Sequence, residues 1–325
     1  MVQKVFAKPV VLCQRRSDTG YREESGGSLG SEKKGTTGDL ELVFAEPKGF
    51  CFGVRRAIAA LEESLELHGR VYALGSPIHN PQEVERLLSK GLVIIETPSE
   101  MPMGGAVFVR AHGVSDPVME ELRSRNALVV DGTCPFVSKA KEKAALLSRE
   151  GYTVMILGDE DHPEVKAIRL SSEGPVTVVD PLRLKSFEVE GLNKVGIVSQ
   201  TTQREEDLSA LVSGVSARAS ETRVFNTICD ATSSRQRSVA RLAGSVDGII
   251  IIGGKNSANT EKLFIIAKTS GTPTLWIEDE EGLERGWLED KTRIGIAAGA
   301  STPDWLIHRI ATRLASAKSA REDGW

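Results

Sequence analysis

Three cysteines, Cys51, Cys134 and Cys229, stand in Gly-, Pro- or Asp-marked turns after short apolar runs, 83 and 95 residues apart. In each third of the chain the next polar loop follows 28 residues later and holds His79, His162 and Ser257 respectively. A further loop in each third holds His112, Thr201 and Ser301. Nine strand–loop–helix units thus fall into three groups of three, the signature of an internal threefold repeat. If the three groups meet around a pseudo-threefold axis, three thiols and six polar loops share one centre.

A single cysteine is most often a small buried hydrophobe, but equal spacing in matched strand-to-helix turns argues for a shared purpose. A disulfide would use two thiols and strand the third. Structural zinc takes four protein ligands, and no CxxC pair occurs. Three thiolates suit a 4Fe–4S cluster with one iron left open, since cluster irons prefer soft sulfur ligands. A Cys-plus-His zinc site stays open as the alternative, at the expense of the histidines.

The remaining loops read as an anion site. Three of the five His lie in them, in Ile78-His79-Asn80-Pro81, Ala111-His112-Gly113 and Asp161-His162-Pro163-Glu164, each expected at a helix start, whereas His68 and His308 fall in helical stretches and read as surface residues. Pro81, Pro163 and Pro303 mark helix N-termini, whose free N–H groups favour negative charge. Thr201, Thr202, Ser257, Asn259 and Ser301 add hydroxyls and an amide. Each alone would read as a helix cap; together they suit a phosphate or diphosphate. Glu164 contributes nothing to holding an anion, so it is read as a proton donor, with burial beside a bound anion raising its pKa.

The elements that must position these groups follow from the alternation. Apolar strands are expected at Leu42–Ala45, Val71–Leu74, Ala106–Val109, Leu128–Val130, Thr153–Leu157, Val195–Val198, Arg223–Phe225, Gly248–Ile252 and Arg293–Ala297, with helical patterns such as Arg56–Leu67 and Val137–Glu150 between them. Such alternation predicts an α/β fold of parallel sheets, with the loops at the carboxyl ends of the strands, where α/β folds hold ligands. The expected division is 40–133, 134–228 and 229–304, with residues 305–325 packing back on the first domain.

The 325 residues carry 41 Lys and Arg against 45 Asp and Glu, a net charge of −4, which argues against nucleic acid as the main partner. The longest aliphatic run, Ile249 to Ile252, is far short of a membrane span. Residues 1–39 carry seven basic and five acidic side chains, too many acids for a transit peptide, and no apolar signal core; they read as a disordered leader in which Cys13 is an unremarkable thiol. A cytoplasmic location is expected, with organelle targeting by the leader as the weaker reading.

The strings Glu46-Pro-Lys-Gly-Phe-Cys51-Phe-Gly-Val-Arg-Arg-Ala-Ile58, Thr133-Cys134-Pro135, His162-Pro163-Glu164-Val165, Ser199-Gln-Thr-Thr202, Asn226-Thr-Ile-Cys229-Asp-Ala-Thr232 and Ala298-Gly-Ala-Ser-Thr-Pro303 closely resemble those of the 4-hydroxy-3-methylbut-2-enyl diphosphate reductase family, in collinear order from about residue 41 to about residue 310. The resemblance implies three pseudo-threefold-related small α/β domains in a trefoil around a central iron–sulfur site. It also implies reductive removal of an allylic hydroxyl to give isopentenyl and dimethylallyl diphosphate, with ferredoxin or flavodoxin as electron donor. Carried over, Cys51, Cys134 and Cys229 would ligate the cluster, and His79, His112, His162, Ser257, Asn259 and Ser301 would bind the diphosphate. Glu164 would deliver a proton, His162 would relay protons, and Thr201 would contact the substrate hydroxyl. Ala258 stands where the family commonly has Ser, which predicts weaker diphosphate binding. A quinolinate-synthase-like enzyme and an iron–sulfur sensor or carrier are the rival readings. The His-Pro-Glu and Ala-Gly-Ala-Ser-Thr-Pro strings argue against the first, and the lack of a fourth loop cysteine with Glu164 in an anion pocket argues against the second.

Overall fold

The computed structural model describes residues 10–12, 40–186 and 193–319. The described strands form three sheets in which every pairing is parallel. The first sheet runs β4 (Leu92–Ile95), β3 (Val71–Leu74), β5 (Ala106–Val109), β6 (Leu128–Asp131). The second runs β8 (Val176–Val179), β7 (Thr153–Leu157), β9 (Lys194–Ser199), β10 (Glu221–Val224), and the third β12 (Thr274–Ile277), β11 (Gly248–Ile252), β13 (Arg293–Ala298), β2 (Glu41–Phe44). The three orders are the same, so the repeat expected from loop spacing is a repeat of topology.

Parallel neighbours need crossovers, and the amphipathic helices supply them. In α1 (Phe52–His68) the residues Ala57, Ile58, Leu61 and Leu65 recur on one face and bury against Val71, Ala73 and Phe108 of the first sheet. Gly69, at φ 69°, ends that helix in the left-handed conformation, and its N–H returns to the Leu65 carbonyl. In the equivalent places α4 (Pro135–Arg149) packs on the second sheet through Ala140, Ala144 and Leu147, and α7 (Asp230–Ala243) on the third through Val239 and Leu242. Each of these helices follows the edge strand of the preceding sheet, so every cysteine turn is also a passage from one unit to the next. The central strand β11 buries Ile249 to Ile252 completely, as a parallel strand covered on both faces must.

Four features depart from the sequence reading. First, β2 does not belong with the first unit. It pairs with β13, Ile294 against Leu42 and Ile296 against Phe44, and so occupies the fourth position that β6 and β10 hold elsewhere. Second, α10 (Asp304–Ser319) does not pack its apolar face on the first unit. Leu306, Ile307, Ile310 and Leu314 bury against Ile250, Ile294 and Ile296 of the third sheet, while the Trp305 indole, 3.0 Å from the Glu83 carboxylate, and Asp304, 3.7 Å from the Arg55 guanidinium, reach the first unit. Third, β4, β8 and β12 end in short 3₁₀ turns rather than polar loops, so a search for strands followed by polar loops passes over them. Fourth, Val10–Leu12 of the leader forms β1, which pairs with Thr222–Val224; an apolar triplet with two β-branched valines satisfies the outer edge of β10. The rest of the expected disordered leader, including Cys13, lies outside the described residues. Among the described residues no helix is long and apolar enough to cross a membrane.

Replacing Ile310, fully buried under the third sheet, by Ala should lower the unfolding free energy by about 2–5 kcal/mol in a denaturant titration. His308→Ala, on the exposed face of the same helix, should stay within about 0.5 kcal/mol of the unaltered protein.

Candidate active site

All three cysteines are free and cap the N-termini of long helices: Cys51 caps α1, Cys134 caps α4 and Cys229 caps α7. The Cys51 sulfur accepts from the Val54 amide at 3.5 Å, and the Cys229 sulfur lies 3.1 Å from the Thr232 hydroxyl. Three backbone bonds hold the turns against the loops after β5, β9 and β13. The amide of Cys134 donates to Ala111 O at 2.9 Å, that of Cys229 to Thr201 O at 3.1 Å, and that of Cys51 to Ala300 O at 3.0 Å. The thiols stand close enough to feel one another. Burial, aided by the charges of Cys51 and Cys229, pushes the Cys134 thiol up to about 11, and burial also raises Cys229. Helix N-termini would otherwise favour thiolates, so Cys134 and Cys229 ionise readily only when a cation binds them.

Gly53 shows how closely the turns meet. A Cβ on this residue would sit 2.6 Å from the Cys134 sulfur, so only glycine lets α1 approach the second cysteine. This residue carried no signal of chemistry in the sequence. The Arg56 guanidinium, also on α1, donates to the Thr133 carbonyl beside Cys134.

Around the thiols lie the histidines. Ring centroids are 4.9 Å apart for His79 and His112, 5.1 Å for His112 and His162, and 6.0 Å for His79 and His162. His162 caps α5 (Pro163–Leu170), and its Nδ1 accepts from the Glu164 amide at 3.2 Å, leaving Nε2 to carry the proton of the neutral ring. His79 precedes Asn80, the cap of α2 (Pro81–Ser89). His112 differs from the expectation of a helix start. It lies in a turn closed by the Gly113 amide on Arg110 O at 2.9 Å, several residues before α3 (Asp116–Ser124). Burial, with the neighbouring Arg110 charge, holds His79 below its ordinary pKa and takes His162 down to about 4; burial and the other two rings take His112 well down. The rings are therefore neutral near pH 7.

Several buried polar atoms here have no partner: both ring nitrogens of His79, Nδ1 of His112, and both side-chain amide atoms of Asn259. Buried polar groups are almost always satisfied, so this concentration marks the place of a polar ligand. Ser257 caps α8 (Ala258–Thr269), and Ser301 donates to the His79 carbonyl at 3.1 Å. The three imidazoles, with nitrogens within 4.8 Å of one another, have spacing that a metal ion could also use. The hydroxyls, the amide and the helix ends beside them favour an anion.

Glu164 sits at the inner wall, 2% exposed. The Thr201 amide donates to its Oε1 at 2.6 Å and the Thr201 hydroxyl to its Oε2 at 3.0 Å. Burial outweighs these two bonds and pushes the carboxyl up to about 7, so it holds a proton about half the time at neutrality.

One cavity is lined by Cys51, Cys134, Cys229, His79, His112, His162, Glu164, Thr201, Ser257, Asn259 and Ser301 together. Every site residue expected from the sequence reaches it. Thr202 and Ala258 line it too, and Val54, Ile78, Phe136 and Val137 give it apolar walls. Sequence reasoning missed Gly53, Arg110 and Arg235. The first is silent without its neighbour, and the two arginines read as ordinary charges until burial is known.

A profile of the family "LytB protein" matches residues 42–315. The 4-hydroxy-3-methylbut-2-enyl diphosphate reductase of Aquifex aeolicus is 44% identical over 279 residues, covering 85% of this chain and 96% of that one. The enzyme of the same name from Geobacter sulfurreducens is 43% identical over 275 residues, covering 85% and 97%. Among solved structures, the E-1-hydroxy-2-methyl-but-2-enyl-4-diphosphate reductase of Plasmodium falciparum superposes with a TM-score of 0.79 at 25% identity, covering 85% of this chain and 88% of that one. The family match spans both the thiol turns and the histidine loops, the relatives align over nearly their whole lengths, and the chain therefore belongs to the LytB protein family.

Proposed function

We propose that the protein is a 4-hydroxy-3-methylbut-2-enyl diphosphate reductase. The observation that carries this reading is the meeting, in one cavity, of three free thiols on helix N-termini with unpartnered imidazole and amide atoms around a protonatable carboxyl. The donor set fits an iron–sulfur cluster: three sulfurs from three turns, with a glycine that makes room for one of them. Cys51, Cys134 and Cys229 would hold a 4Fe–4S cluster, which when bound supplies electrons singly and a Lewis-acidic iron.

The overall conversion takes two electrons and two protons. The allylic C–O bond breaks, its oxygen leaves as water, and a C–H bond forms, giving isopentenyl or dimethylallyl diphosphate. The chain's own residues do the rest. His79, His112 and His162 with Ser257, Asn259 and Ser301 bind the diphosphate, whose charge falls among donors that otherwise lack partners. The apolar walls take the five-carbon chain and exclude water. Thr201 meets the substrate hydroxyl and keeps Glu164 oriented through two bonds. Glu164, near half protonation at pH 7, delivers a proton toward the departing oxygen. His162, whose Nδ1 accepts from the Glu164 amide, relays protons to it. Electrons come from a one-electron carrier of the ferredoxin or flavodoxin kind. Phe52, next to Cys51 and 65% exposed, brings that ligand turn to the protein surface, where such a carrier can approach.

Anaerobic purification with iron and sulfide analysis, followed by turnover of the allylic diphosphate with a chemical reductant, tests the assignment as a whole. Four variants have expected outcomes. Cys134→Ser should lose the cluster absorbance, and Gly53→Ala should lose it as well, because the added methyl meets the Cys134 sulfur; full absorbance in the Gly53 variant would show that the turns can part. Glu164→Gln should keep cluster and diphosphate binding while turnover falls by a factor of roughly 10²–10⁴. In the unaltered enzyme turnover should decline as pH rises through about 7, where Glu164 loses its proton, and a profile flat from pH 6 to 8 would exclude this carboxyl as the donor. Ala258→Ser adds a hydroxyl at the first turn of α8 and should tighten diphosphate binding roughly 2–10-fold, the worth of one hydrogen bond, as read by titration calorimetry.

A further inference from the structure

Arg235 lies on α7, six residues beyond Cys229, and is 3% exposed. Its Nη1 donates to Ala231 O at 3.2 Å. Its Nη2 crosses to the turn of the first cysteine and donates to Gly49 O at 2.8 Å, two residues before Cys51. Its Nε has no partner among the described residues. A guanidinium stays charged in proteins, and no carboxylate among the described residues lies within ion-pair distance of this one. The groups that act on its charge are Cys51, Cys229 and Glu46, with Arg55 opposing. A buried cation that holds only two carbonyls is costly. The nearest source of the missing negative charge is the cysteine set, once its thiols ionise.

We propose that Arg235 is a charge-balancing and positioning residue for the cluster: it ties the Cys51 and Cys229 turns to one buried cation and favours the reduced cluster. The inference rests on the cluster reading above. Three thiolates make the loaded site anionic, and each electron taken from an external one-electron donor adds a further negative charge. A fixed cation beside two of the three ligand turns stabilises that added charge more than it stabilises the oxidised state. Without the cluster the same cation is an uncompensated burden, so its removal should leave the metal-free fold intact. A merely structural arginine would do the opposite.

The test compares Arg235→Gln, which removes the charge, with Arg235→Lys, which keeps it. Each is purified anaerobically, its iron and sulfide are counted, and the ratio of reduced to oxidised cluster is read by electron paramagnetic resonance at one fixed ambient potential. The Gln variant should show that ratio lowered at least tenfold, equivalent to 59 mV for a one-electron couple. The Lys variant should stay within about threefold of the unaltered protein, since charge rather than fork geometry sets the potential. The Tm of both metal-free variants should stay within about 2 °C of the metal-free parent. An unchanged ratio in the Gln variant overturns the proposal, and so does an equal fall in both variants accompanied by a lower metal-free Tm. If the Gln variant retains no iron, its metal-free Tm decides: unchanged supports the charge role, lowered overturns it. Absence of iron and sulfide from the unaltered protein removes the anion itself. That failure belongs to the cluster reading and is seen before any arginine variant is made.

Discussion

Three backbone hydrogen bonds, from the amides of Cys51, Cys134 and Cys229 to the carbonyls of Ala300, Ala111 and Thr201, carry the arrangement on which everything else depends. Each joins the turn after an edge strand to the loop after the neighbouring inner strand, at the carboxyl end of a parallel sheet. Because all strands in a sheet run the same way, both kinds of loop emerge at one end. Three such ends facing one another make a centre lined by loops and helix N-termini. Side chains there can be positioned by backbone geometry alone, and the rigid sheets behind them, with cores such as Ile249 to Ile252, keep the turns from relaxing apart.

That centre holds opposed electrostatic demands. The Cys134 and Cys229 thiols raised by burial and the imidazoles lowered by burial are in their uncharged forms, as a desolvated cavity requires, and the Glu164 carboxyl is raised to about 7. Helix ends, the half-buried guanidinium of Arg110 and the buried one of Arg235 contribute positive potential. The balance suits two anionic guests, a thiolate-bound cluster at one side and a diphosphate at the other. Glu164 lines the same cavity, its pKa raised by burial against the two bonds from Thr201.

The threefold plan was legible because the loops repeat at a 28-residue offset and each strand candidate carries its own β-branched or aliphatic run. Cys51, Cys134 and Cys229 were legible for the same reason: residue type and position agreed in every third. The three loop histidines stood out because they fall at these loop positions, and Glu164 because it is a carboxylate in an otherwise anion-binding set. Three edge strands, β4, β8 and β12, escaped because their following turns carry no chemistry. The closure of the ring escaped for a different reason. Nothing local in Glu41–Phe44 states that its partner is Arg293–Ile296, some 250 residues away; the pairing follows from an open edge on β13 and an unpartnered strand at the start of the fold. The placement of α10 on the third sheet is a consequence of the same closure, since α10 stands where α3 and the helix Glu205–Ser216 stand in the other units.

By itself, then, the sequence determined what recurs locally: the alternation of strand and helix, the residue types at the strand ends, and the caps that start helices at Cys51, Asn80, Cys134, His162, Cys229 and Ser257. These depend on neighbours a few residues away, whose identities are read directly. Tertiary structure alone decided how deeply each group is buried and which distant group it meets. Glu164 against Thr201, Gly53 against the Cys134 sulfur and Arg235 against the Gly49 carbonyl are contacts between units or between loops distant in the chain. The pKa of a carboxyl or the cost of a buried arginine is set by desolvation and by those partners, and neither exists until the three sheets have closed on one another.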